Sequence, residues 1–317
     1  MQRLPDFQGR SVFTAGTRIL ATEMNKRGGE WITDLQIGYA GLLRTSFYQP
    51  LDRGLRWFVE PSIEYGRNAL DLYSSTGARV AEYQIEKTIA ALAGGYVFGN
   101  WAEVRVGYDY GEGKGHRRTG DPALPSGSFG IGELFIAFES DTLDRWEFPT
   151  SGQFTVTRAR FQREALGAEA DVDGLEFAGG VTRTHEKYTT TAWSRIGLSD
   201  DSAQVRNYYT VGGLFNLSGL ADDQLIGGSA GMVGLGLRRR FGDLEDTLQR
   251  NTYIGVTGEL GGAWRDGDSF TTKSLVPAAS LYLAMDTLVG PFYLAWGHAE
   301  GGSDRLYLVV GRTVHKL

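Results

Sequence analysis

Apolar and polar residues alternate with a period of two along most of this chain, and the 3.6-residue period of an amphipathic helix is nearly absent. Between Trp101 and Tyr110, Ala102, Val104, Val106, Tyr108 and Tyr110 share one face, while Glu103, Arg105, Gly107 and Asp109 share the other. Leu134, Ile136 and Phe138 oppose Glu133 and Glu139 in the same way, and Phe292, Leu294 and Trp296 oppose Tyr293, Ala295 and Gly297. The alternation predicts strands over 11–23, 31–48, 54–73, 78–98, 101–111, 129–139, 152–164, 172–185, 187–199, 226–241, 250–264, 275–288, 290–299 and 305–314, with 203–214 a further candidate. Tight connectors such as Phe98-Gly99-Asn100 and Leu288-Val289-Gly290-Pro291 alternate with long ones over 112–128, 200–225 and 265–274. Soluble sandwiches also alternate, but their strands run about five or six residues, roughly half the length seen here. Long strands joined by short turns at one end and long loops at the other predict an all-β, transmembrane antiparallel β-barrel of 14–16 strands.

Composition sharpens this picture. Forty-five of 317 residues are glycine, roughly twice ordinary usage and without a collagen period. On a lumen wall, glycine lets an inward loop pack closely. A mean hydropathy of −0.25 is compatible with a membrane barrel, because the polar half of each strand faces a wet lumen. The net charge of −6 shows no basic stripe, which argues against nucleic acid as a partner. Zero cysteines remove disulfide frameworks and thiolate metal sites. No window approaches the length of a transmembrane helix. Met1-Gln2-Arg3-Leu4-Pro5-Asp6 is not a signal peptide, so residues 1–317 read as one barrel domain whose signal and further domains would precede it.

Three stretches carry more than periodicity. Asp141-Thr142-Leu143-Asp144-Arg145-Trp146-Glu147-Phe148-Pro149-Thr150-Ser151-Gly152 is an aspartate-rich turn whose proline stops strand pairing. Read without further context it is an ordinary hairpin connection. It resembles the D-T-x-D-x-x-x-F-P-T-x-G signature of the surface-antigen type outer-membrane translocator and insertase superfamily, which includes the barrel assembly insertase and the two-partner secretion translocators. Val211-Gly212-Gly213-Leu214-Phe215-Asn216-Leu217-Ser218-Gly219-Leu220 resembles that superfamily's inward-folded lumen loop, with Ser218 where the loop tip usually has arginine. Glu259-Leu260-Gly261-Gly262-Ala263-Trp264 resembles the wall strand facing the loop.

The missing arginine suggests a rearrangement. Alternation points Glu259 inward with Thr257 and Gly261, and points Arg238 and Arg240 inward with Gly234 and Gly236. Either the cation has moved from loop to wall and Glu259 pairs with Arg238 or Arg240, or these lumen charges stay unpaired and hydrated.

Gly28-Gly29-Glu30-Trp31, Phe47-Tyr48-Gln49-Pro50-Leu51-Asp52 and Trp57-Phe58-Val59-Glu60-Pro61-Ser62 resemble the barrel of patatin-like autotransporters. There a secreted phospholipase precedes a periplasmic POTRA domain and a barrel usually described as sixteen-stranded. The resemblance covers roughly residues 10–317, places the usual first strand before residue 8, and meets an atypical end, Val314-His315-Lys316-Leu317. It implies a passive module in the bacterial outer membrane that anchors and exports or displays a passenger. The implied partners are outer-membrane lipid, the barrel assembly machinery, a fused or separate periplasmic or passenger domain, and a second copy of the chain. Rival readings are a stand-alone translocator or assembly barrel, a diffusion porin, and an outer-membrane phospholipase working from a wall serine and histidine.

No catalytic residue, cofactor or metal is expected. Gly227-Gly228-Ser229-Ala230-Gly231 matches the G-x-S-x-G nucleophile elbow, but the elbow needs a helix after the turn and a long β-segment follows here. His116, His185, His298 and His315 lack metal-ligand spacing. Trp146, Trp193, Tyr208, Tyr209, Trp264 and Trp296 are candidates for interfacial aromatic girdles.

Overall fold

The structure, a computed structural model, describes residues 14–74, 78–121, 126–200, 207–241, 252–264, 274–287, 290–301 and 304–310. They fold as an antiparallel barrel sheet of fifteen strands, each bonded to the next around the wall. The first ten are β1 (Thr14–Ala21), β2 (Glu30–Gly38), β3 (Gly41–Pro50), β4 (Trp57–Tyr73), β5 (Arg79–Phe98), β6 (Ala102–Thr119), β7 (Gly127–Asp141), β8 (Ser151–Gln162), β9 (Val172–His185) and β10 (Tyr188–Ser199). Two short strands, β11 (Tyr209–Val211) and β12 (Leu225–Gly227), leave the wall and pair only with each other. The wall resumes with β13 (Ser229–Phe241), paired directly with β10, and continues through β14 (Thr252–Trp264), β15 (Val276–Thr287), β16 (Gly290–Ala299) and β17 (Arg305–Val310). Strands β1 and β17 stand at the two ends of the order.

Two differences from the sequence reading have local causes. The segment 31–48 is two strands, because the chain reverses at Tyr39-Ala40, with Gly38 at φ +119° and Gln36 opposite Leu42. Dividing it turns fourteen segments into fifteen strands. The loop expected over 112–128 shortens as well, since β6 and β7 remain paired as far as Gly115 opposite Gly127. Glycine at 111, 113 and 115 carries no hydropathy, so the alternation is invisible there although the ladder persists. The strand expected before residue 8 and the chain end at 314–317 lie outside the described residues.

Alternation sorts side chains between two environments. Along β13, Val233, Leu235 and Leu237 are exposed, while Gly234, Gly236 and Arg238 are buried. The same outward apolar band runs through Val256, Leu281, Leu294, Trp296, Leu306 and Leu308. Leu308 is 68 % and Leu235 59 % exposed, which suits lipid and not water. No described helix is long and apolar enough to cross a membrane; the crossing elements are strands. Leu235 lies mid-strand, so Leu235→Arg should cost about 2–4 kcal/mol in refolding into phospholipid vesicles. An unchanged midpoint in denaturant would show that this face does not meet lipid.

The inward face is polar and largely paired. Arg105 bonds Glu60 and Glu103, and Arg158 bonds Asp109 at 2.8 Å and Glu133 at 3.1 Å. Arg105 on β6 reaches Glu60 on β4 across the intervening strand, and Arg158 on β8 reaches both Glu133 on adjacent β7 and Asp109 on β6, so each cation ties together its own section of wall.

Candidate functional site

Between β10 and β13 the chain turns into the lumen. Thr210 pairs with Ile226 in the β11–β12 stem, and the tip beyond it is almost wholly buried. Val211, Leu217 and Leu220 pack on Ala230, Met232, Ala278 and Ala299 of the wall, where the three alanines let the loop approach. Leu214 and Phe215 pack beside Tyr253, Tyr282 and Tyr293. A buried irregular segment must satisfy its own backbone, and here wall side chains do so. Trp193 Nε1 donates to the Phe215 carbonyl at 3.0 Å. The Tyr307 hydroxyl accepts from the Gly219 amide at 2.8 Å and donates to the Leu220 carbonyl at 2.9 Å. Asn216 closes the turn, its amide donating to the Gly213 carbonyl and its Nδ2 to the Gly212 carbonyl.

Ser218 is the centre of the contact. It has no exposed surface, and both its amide and its hydroxyl donate to Glu259, at 2.7 and 2.8 Å. Thr257, on the same face of β14, donates a third hydrogen bond to the Glu259 carboxylate at 2.6 Å and lies 2.6 Å from the Ser280 hydroxyl. Glu259 thus points inward, but it does not pair with Arg238 or Arg240. The register places Gly234 opposite Glu259 and Arg238 opposite Gly255, four residues farther along β13, a separation of roughly 13 Å along the strand. Arg240, opposite Tyr253, is farther still. Three neutral donors replace the expected cation, so Glu259 is neither ion-paired nor simply hydrated.

Arg238 serves the other end of the lumen. It donates to the Pro149 carbonyl and lies 5.7 Å from the Phe148 ring and 5.4 Å from that of Tyr253. The β7–β8 connection is therefore more than a hairpin turn. Phe148, at φ +48°, is only 4 % exposed, stacks on Tyr253 at 4.6 Å and meets Tyr293 at 5.5 Å. Its motif neighbours build the turn. Asp141 accepts from the Leu143 amide, Asp144 accepts from the Thr150 and Ser151 amides and the Thr150 hydroxyl, and the Thr150 carbonyl accepts from the Thr184 hydroxyl. Gly152 has φ +108°, and a Cβ there would strike the Thr142 backbone.

Partial burial acts to raise the Asp144 carboxyl, but the Thr150 hydroxyl and the Ser151 and Thr150 amides outweigh it and hold the group below its ordinary 3.8. A depressed folded-state pKa contributes stability that is present above the unfolded value and lost as pH falls through the folded one. Asp144→Asn should therefore melt below the parent at pH 7, with the gap closing below about pH 4. Melting curves at pH 7 and pH 2.5 check this; an equal gap at both would contradict it.

BamA from Haemophilus ducreyi lacking POTRA domains 1–3 superposes with a TM-score of 0.75 at 12 % identity, over 93 % of this chain and 66 % of that one. CdiB from Escherichia coli gives 0.60 at 12 % identity over 94 % and 58 %, and CdiB from Acinetobacter baumannii 0.57 at 11 % over 98 % and 55 %. The fold is the outer-membrane β-barrel fold seen in BamA and CdiB. At such identities the likeness is one of fold, and the chain spans between 55 and 66 % of those structures. No protein-family profile matches the chain, and no curated protein is similar to it in sequence.

Several contact residues escaped the sequence reading. Tyr307, Trp193, Ser280 and Gly297 all touch or support the loop. Alternation would have placed Tyr307 inward, between outward Leu306 and Leu308, but nothing in one sequence says what it meets. Trp193 and Tyr209 are not girdle residues: Trp193 holds the loop, and Tyr209 accepts from Arg160 Nε at 3.2 Å at the stem. Trp264 donates to the Ser274 hydroxyl, whereas Trp146 and Trp296 are exposed as interfacial aromatics should be. Ser229 opens the thirteen-residue strand β13, without the geometry of a nucleophile elbow. Among the described residues no cluster of histidines and carboxylates could hold a metal ion, and His315 lies outside them.

Proposed function

We propose that this chain is the membrane module of an outer-membrane translocator. It anchors in the bilayer, holds its lumen closed with its own loop, and serves the export or surface display of a passenger carried by a fused or partner domain. The observation that carries this is the inward loop tip locked onto Glu259 and Tyr307 of the barrel wall. A diffusion porin needs an open passage and gains nothing from a buried tip. The fold shared with BamA and CdiB supports the same reading.

The narrower proposal, a patatin-like phospholipase as passenger, rests on the resemblance of the β1–β4 motifs. Asp52 accepts from the Gly54, Arg56 and Trp57 amides and so shapes the β3–β4 turn within one of those motifs. On this proposal the barrel assembly machinery inserts the chain, any second copy packs against it in lipid, and the chemistry belongs to the passenger and not to any residue here. Planar-bilayer recording on the purified chain, with intact mass of the native protein in the outer-membrane fraction, tests both levels. Low basal conductance and a native mass about twice that of this chain support the autotransporter. Low conductance and a native mass near 34.7 kDa favour a stand-alone translocator. Large, steady open channels would favour a porin and overturn the reading.

A further inference from the structure

Between the loop and the β7–β8 turn the lumen retains a cavity of about 800 Å³. Trp193, Phe215, Tyr282, Tyr293 and Phe148 give one side of it an aromatic lining, and Arg238 lines the same region. Arg238 is only 9 % exposed, and among the described residues no carboxylate lies within ion-pair distance of it. Its hydrogen-bond acceptor is a single carbonyl, that of Pro149, and its Nε is buried without a partner. A buried guanidinium is ordinarily paired, since its desolvation is otherwise uncompensated. The hydroxyls of Tyr282 and Tyr293, whose rings lie 6.0 Å apart, have no hydrogen-bond partner among the described residues. Of the acids on the cavity wall, Glu103 is taken by Arg105, Asp141 accepts from the Leu143 amide, and Glu139 sits beside them on β7, away from β13.

We propose that this cavity is a binding site for an organic anion, whose carboxylate or phosphate bonds Arg238 and the Tyr282 and Tyr293 hydroxyls while its apolar body lies against Phe215 and Trp193. Charge-assisted bonds from a guanidinium, reinforced by phenol donors in an aromatic enclosure, recognise such a group strongly. The site is distinct from the loop lock at Ser218 and Glu259, and its failure would leave the translocator reading standing.

Calorimetry on the full chain in lipid nanodiscs tests it, with 3-phenylpropionate, phenyl phosphate and the neutral 3-phenylpropanol as probes. The two anions distinguish a carboxylate site from a phosphate site. Saturable binding of at least one anion, with none of the alcohol, is the expected result. Arg238→Gln should weaken it about tenfold or more. Because that change also removes the Pro149 contact, a Tyr282→Phe, Tyr293→Phe double variant, which keeps both rings, should weaken binding about threefold or more on its own. Absence of saturable binding, equal binding of the alcohol, or unchanged affinity in the tyrosine variant would overturn the proposal.

Discussion

Glu259→Ala should unlock the loop and open the barrel. The Ser218 amide, the Ser218 hydroxyl and the Thr257 hydroxyl all give their hydrogen bonds to this one carboxylate, in a place where Glu259 is 5 % exposed and Ser218 not at all. Removing the acceptor strands buried donors, and each stranded group costs about 1–3 kcal/mol. Hydroxyls can turn toward other acceptors; the Ser218 amide cannot. A loss of roughly 2–4 kcal/mol follows, enough to shift the loop between packed and released states. Glu259→Gln should be milder, since the amide keeps one acceptor while opposing one donor with another. Single-channel recording should show long open events in Glu259→Ala and fewer in Glu259→Gln. Proteolysis should cut the freed segment near 212–221. An alanine variant as closed and as heat-resistant as the parent would show that the carboxylate does not hold the tip.

Alanine at Gly297 or Gly219 should lift the same loop by crowding it. Gly297 faces inward on β16, and a Cβ there would lie 2.7 Å from the Gly219 amide nitrogen and 2.9 Å from both Ser218 Cβ and its carbonyl carbon. At Gly219, φ is +106°, and a Cβ would strike the His298–Ala299 backbone. Overpacking of this kind costs about 1–3 kcal/mol, and the left-handed conformation at Gly219 adds roughly 1–2 kcal/mol for a residue with a side chain. Gly258 is the matched control. It lies on the outward face of β14, where an added Cβ meets nothing within 4 Å, so Gly258→Ala should stay within about 0.5 kcal/mol of the parent. Melting temperature and conductance of the three variants, read side by side, decide the matter. A Gly297 variant indistinguishable from the Gly258 variant would mean that the loop does not bear on the wall as described.

Much of this architecture is legible in the chain itself. A side-chain period of two fixes which residues share a face, so the lipid side of β13 and the inward direction of Glu259, Arg238 and Tyr293 follow from the sequence pattern. Turn chemistry marks where strands end, except where glycine erases the hydropathy signal, as at 111–115, or where a two-residue reversal hides inside an apolar run, as at Tyr39-Ala40. Alternation says nothing, however, about height along the barrel. Glu259 and Arg238 share the lumen, yet strand register alone sets them about four residues apart and leaves the carboxylate to Ser218. Nor could the sequence say that Phe148 of a turn and Phe215 of a loop reach the same tyrosines from opposite ends of the barrel. Local sequence determined faces, strands and turns, because those follow from a few neighbouring residues. Tertiary structure decided the partners, because curling the sheet joins residues that no local pattern relates.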